Sequence, residues 1–139
     1  MNSRGAVSVE AALLVPVFVL VAAMATAGWR VWWASAQVQA AAEAGARAAS
    51  QQIDVTTARN RVGVVVADDL GTAGLHCQDR QLTYDLSAVS LPAGVPGTVG
   101  VTIACQVRLD DLLIPGVPGS ITVRGSATES IDVFRSRGR

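Results

Sequence analysis

The chain has 139 residues, half of them apolar but only 4% aromatic, with a formal net charge of zero and no Lys at all. That length suits one small domain plus an anchor. The neutral balance removes the electrostatic footprint of a nucleic-acid binder, and Arg135, Arg137 and Arg139 near the C-terminus are too few and too spread out to restore it.

The most informative stretch comes first: Gly5-Ala6-Val7-Ser8-Val9-Glu10, followed by an uncharged run from Ala11 to Trp29 made mainly of Ala, Val, Leu, Phe and Met. A hydrocarbon core takes about 20 helical residues to cross. Arg4 precedes the run, and Arg30 with Trp29, Trp32 and Trp33 follows it. Their i, i+3, i+4 spacing puts the three tryptophans on one helical face, and Trp favours the membrane–water interface. The expected span is therefore 6–33, with Trp29, Arg30, Trp32 and Trp33 at the interface. Positive charges flank it on both sides, so counting them does not orient it. The short leader and a pair of cysteines suited to an oxidising compartment point to a cytoplasmic N-terminus and an outward-facing body. A secretory signal peptide is the rival reading, with Ala23-Met24-Ala25 or Ala25-Thr26-Ala27 as cleavage site. The apolar stretch is long for a signal, however, and has Glu10 near its start.

A carboxylate entering hydrocarbon is costly and calls for a partner. Here the residues resemble a type IV prepilin signal: a short leader ending in Gly, four residues, a Glu, and a long apolar helix. The closer resemblance is to TadE-like minor pilins or pseudopilins of the tight-adherence (Tad, Flp) pilus family. Those proteins tend to read Arg-Gly, four mostly small residues, Glu, then an apolar stretch containing Pro. This chain reads Arg4-Gly5-Ala6-Val7-Ser8-Val9-Glu10-Ala11-Ala12-Leu13-Leu14-Val15-Pro16, with Ala11 where the family often has an aromatic. The resemblance covers roughly residues 4 to 30. It implies a leader at 1–5, cut by a prepilin peptidase between Gly5 and Ala6. The new amine of Ala6 would lie about 6 Å along the helix from Glu10. In a helix bundle each Glu10 would then neutralise a neighbour's ammonium and specify register more than add stability. The resemblance also implies other pilins and pilus assembly platform proteins as partners, and a place in the inner membrane or in the extracellular pilus.

Pro16 cannot donate to the Ala12 carbonyl, so a kink or loosened turn is expected there. The helical pattern continues to about Gln51 through Val38, Ala41, Ala42, Gly45, Ala48 and Ala49, with Glu43 and Arg47 placed as an i, i+4 pair. A continuous helix of that length runs roughly 70 Å, more than twice the hydrocarbon thickness. Its outer half must pack on something, either its own domain or neighbouring subunits. Asp54 can cap a second helix to about Leu70, with Val55, Val62, Val65 and Val66 for burial, ended by Gly71 and Gly74.

Three strands are expected beyond. Gln81 to Val89 alternates through Leu82, Tyr84 and Leu86. Thr98 to Leu109 puts Val99, Val101, Ile103, Cys105, Val107 and Leu109 on one face. Ser120 to Phe134 is interrupted around Gly125. Pro/Gly-rich connectors, Pro92 to Gly97 and Pro115 to Gly119, bracket the middle strand. The fold expected is α+β: a long transmembrane helix continuing into a packed helix, a second helix, then a small antiparallel three-stranded sheet. The outward domain is then 34–139, helical over 34–70 and β-rich over 75–134. Cys77 and Cys105 are expected to form a disulfide, stabilising by about 3 kcal/mol through loop closure.

Chemistry is sparse. His76 stands alone and reads as a solvated loop residue, so no metal and no cofactor is expected. Asp68-Asp69 and Asp110-Asp111 are adjacent pairs whose side chains point apart. Without a nucleophile elbow, phosphate loop or preorganised polar cluster, an enzyme is not expected. The reading is a pilus assembly protein in cell adhesion; the alternative is a secreted or membrane-anchored binding module whose helix is only a signal or anchor.

Overall fold

The computed structural model describes the backbone of residues 3–110 and 118–134, and the side chains of residues 12, 14–110 and 118–134. The Ala-rich N-terminal third forms one uninterrupted helix, α1 (Ser3–Ser50, 48 residues). Pro16 lies inside it, and the missing amide hydrogen removes the donor to the Ala12 carbonyl without ending the helix. The helix is thus as long as its composition suggests, about 72 Å.

A short turn leads to α2 (Val55–Thr72), whose start is set by Asp54. The Asp54 carboxylate accepts from the Thr57 amide at 2.8 Å and from the Thr57 hydroxyl at 3.0 Å, satisfying one of the orphan donors of the first turn. Those bonds hold the Asp54 carboxyl below the usual carboxylate range. The helix runs past Leu70 and through Gly71 to Thr72, and Gly74, just beyond its C-cap Ala73, takes a left-handed φ of 70°. There the Leu75 amide returns to the Leu70 carbonyl at 2.9 Å and closes the helix end.

The sheet is antiparallel in the order β1-β2-β3, with β1 at Arg80–Asp85, β2 at Thr98–Arg108 and β3 at Ser120–Ser130. Three expectations for the strands are corrected. β1 stops at Asp85, not Val89, because the Asp85 carboxylate takes the Ser87 hydroxyl at 2.8 Å and the Ser87 amide at 3.3 Å. That turns the chain into a short 3-10 turn (Ser87–Ser90), from which Ala88 and Val89 still reach the core. β3 is not interrupted at Gly125, since the ladder with β2 runs unbroken from Ser120 to Ser130, with Gly125 opposite Ile103. It ends before Phe134, whose side chain is exposed outside the strand. Asp111, most of the Pro115 to Gly119 connector, and Arg135, Arg137 and Arg139 lie outside the described residues.

The two helices cover one face of the sheet. Val38, Ala41, Ala42, Ala46 and Ala49 of α1 meet Ala58, Val62, Val66 and Leu70 of α2, and both meet Val99, Val101, Ile103 and Cys105 of β2. The expected α1 stripe is therefore the buried one, with Ala48 half-buried at its margin; Val55 packs at the edge of the core and Val65 is half-buried. Period-2 alternation along β2 puts Val107 at the margin and Thr102 in solvent.

Contact between α1 and β3 is unusually close. A Cβ on Gly125 would lie 2.7 Å from the Val38 carbonyl oxygen and 2.8 Å from the Gln39 backbone, so only glycine lets the strand lie on the helix backbone. One residue on, the Gln39 side chain donates to the Ser126 carbonyl at 3.1 Å and accepts from the Ser126 amide at 3.1 Å. Both backbone groups of an edge-strand residue are thereby satisfied. Arg47 turns from the expected partner Glu43 to Glu129 of β3, 3.3 Å away, while Glu43 accepts from Gln39 at 3.1 Å. The Arg47–Glu129 pair is exposed and adds little to stability.

Gly125→Ala is expected to lower stability by about 1–3 kcal/mol, the usual range for overpacking, read as a fall in thermal midpoint by circular dichroism. Gly63→Ala, in α2 with nothing within 4 Å of the new methyl, should instead raise stability by roughly 0.5–1 kcal/mol. For Asp54 the native carboxyl titrates below its unfolded value. Its contribution is therefore complete above pH 3.8, the ordinary aspartate value, and is lost as pH falls through the lower native value. Asp54→Ala should lower the thermal midpoint at neutral pH, and the gap to the parent should close in acid.

Candidate membrane and assembly site

Along α1 the environment changes within one turn. Leu14, Val15, Val17 through Val21 and Met24 are all exposed, Phe18 at 70%. The 18-residue apolar window in α1 has a mean hydropathy of 1.8, and none of it is buried. The core helix of a soluble protein would hide such a face, and this one does not, so it fits a single-pass membrane anchor. Burial begins with Val31 and Trp33, which pack against the core, and is complete at Ala34.

The tryptophans divide between these two regimes. Trp29 and Trp32 are exposed, their ring centroids 5.2 Å apart and tilted by 39°. Trp33, a turn beyond Trp29, turns inward against the domain. The face that they share by spacing therefore runs from solvent into the edge of the core. Gly5, Ala6 and Glu10 fall in the first turns of α1, so helical backbone passes through the expected cleavage point; their side chains lie outside the described residues.

Cys77 and Cys105 are joined, with Cα atoms 5.2 Å apart. Cys105 is buried on the helix-facing side of β2, so the bridge staples the loop after α2 beneath the sheet. The Gln78 amide also donates to the Gln106 carbonyl at 2.9 Å, and the Gln106 amide to the Asp79 carbonyl at 3.0 Å, extending the ladder beside it.

That staple brings the α2–β1 loop toward the lower end of α1. Between them opens a cleft of about 470 Å³, walled by Trp29, Arg30, Trp33 and Ala34 on one side and by Gly74, Leu75, His76, Val107 and Arg108 on the other. Sequence reasoning found the Trp–Arg group but not Val107 or Arg108, which only the fold brings near. His76 is exposed, with Nδ1 3.1 Å from the Gly74 carbonyl oxygen. Arg108 donates to Asp110, with Nε 2.9 Å from Oδ1. Among the described residues, no group of three or more His, Cys, Asp or Glu is placed to hold a metal ion.

Taken together, these features define a small α+β domain carried on a long apolar helix. Residues 5–47 match the family model described as TadE-like protein. Over that segment the chain is similar to TadE-like proteins, in line with the resemblance carried by Gly5 to Pro16. Comparison with curated proteins gave no match, and comparison with solved structures gave none.

Removing the bridge by Cys77→Ser with Cys105→Ser should lower stability by about 3 kcal/mol, the entropy of the loop it closes. Denaturant unfolding of the parent and the double variant measures the difference.

Proposed function

We propose that this chain is a minor pilin or pseudopilin of the tight-adherence pilus, cut by a prepilin peptidase between Gly5 and Ala6. It serves pilus biogenesis and adhesion by assembly and not by catalysis. The observation that carries this reading is the TadE-like match over residues 5–47, on a helix whose described 18-residue apolar window is not buried. Such a helix meets either lipid or other apolar helices, which are the two surroundings of a pilin before and after it joins a fibre. Glu10 then pairs with the Ala6 ammonium of a neighbouring subunit, because a buried charge needs an opposite charge at a set axial offset. The domain from residue 34 onward faces outward, where its disulfide is stable. Residues 6–33 form the membrane segment, with the prepilin peptidase, other pilins and platform proteins as partners.

The test is the mature N-terminus of the protein from native membranes, by intact mass and N-terminal peptide mapping. A chain beginning at Ala6 is expected. A start after Ala25 or Ala27 would mean an ordinary exported domain and would overturn the reading. Glu10→Ala should reduce incorporation into, or initiation of, the fibre by at least about tenfold while leaving membrane levels unchanged, since the charge pair acts between subunits.

A further inference from the structure

We propose that the cleft at the foot of the domain binds the phosphodiester headgroup of an anionic bilayer lipid. The inference rests on α1 being inserted in a membrane, and it assigns the cleft a ligand that the pilin reading does not.

Position is the first argument. From Ala11 to Gly28 the helix rises about 26 Å, close to the roughly 30 Å of a hydrocarbon core. From Trp29 to Ala34, the α1 wall of the cleft, it rises about 7.5 Å, close to the roughly 5–7 Å of each headgroup layer. With Trp29 and Trp32 exposed at the boundary, where Trp rings settle, the cleft lies at the depth of the lipid phosphates.

Chemistry is the second. Arg30 from α1 and Arg108 from the end of β2, two cationic residues from distant parts of the chain, both line one cleft of about 470 Å³. Among the described residues, no carboxylate lines it. Asp110 pairs with Arg108 through both Nε and Nη2, which leaves other N–H groups of the five-donor guanidinium to bridge a second acceptor. Trp33, Leu75 and Val107 add apolar wall beside these cations. A cationic edge against an apolar wall suits a phosphate joined to a glycerol and its upper acyl carbons. It suits a free phosphate ion less well, which would have no use for the apolar side.

The full chain, purified in mild detergent, would be equilibrated with equal amounts of phosphatidylglycerol and phosphatidylcholine, and bound lipid counted by native mass spectrometry. Retention of phosphatidylglycerol over phosphatidylcholine by at least about fivefold is expected, the scale of one arginine near an anionic headgroup. Arg30→Gln or Arg108→Gln alone should lower that ratio, and the pair together should bring it to about one. Arg61→Gln, on the exposed face of α2, should leave it unchanged. Equal retention of both lipids by the parent chain, or a preference that survives the double substitution, would overturn the proposal. Displacement of the lipid by excess glycerol phosphate would also overturn it, by making the ligand a free phosphate ester. Flotation with pure phosphatidylcholine vesicles separates the two readings. A chain that floats but shows no lipid preference loses only the cleft, whereas one that floats with no vesicle loses the anchor as well.

Discussion

The architecture turns on how closely α1 approaches the sheet. At Gly125 the strand backbone lies against the helix backbone, with no room for even one methyl group, and at Ser126 the Gln39 side chain closes the hydrogen bonds that an edge strand would leave open. A helix built from Ala at its buried positions is narrow enough for this, which is why the Val38–Ala49 stripe contains so few bulky residues. Larger side chains on either surface would separate the layers and expose the β2 core beneath.

This contact also determines what α1 can present elsewhere. Its C-terminal half is packed against α2, β2 and β3. Among the described residues, none of the 18-residue apolar window of its N-terminal part is buried. The division is abrupt because the two halves differ in composition: small residues with Gln39, Glu43 and Arg47 on the packed side, Val, Leu and Phe on the uncovered side. A protein built this way must place its apolar half in lipid or among other apolar helices.

The disulfide has a positional consequence as well as an energetic one. By fixing the loop after α2 to β2, it sets Leu75 and His76 opposite Trp33 and Arg30 and so shapes the end of the domain next to the uncovered part of α1. The cleft is a product of three distant segments held by one covalent link and one close helix–strand contact. None of those segments would suggest a binding site when read alone.

Much of this was legible in the residues themselves. Periodicity marks α1, α2 and β2 because each has a strongly one-sided apolar pattern; Asp54 marks its helix start because a short carboxylate suits the first-turn amides. The Gly5 to Pro16 signature and the uncharged run after it place the family likeness and the anchor, since a membrane imposes its demands on local composition. What the tertiary structure decided were the features that depend on neighbours distant in sequence. Gly125 reads as a break in a strand until the Val38 carbonyl is seen against it, when it becomes the residue that allows the layers to touch. Arg47 reads as the partner of Glu43 until β3 brings Glu129 within reach. Leu86 to Val89 read as strand until the Ser87 bonds to Asp85 turn the chain. Local chemistry determined which elements form; their packing, a matter of shape and long-range contact, determined which residues meet.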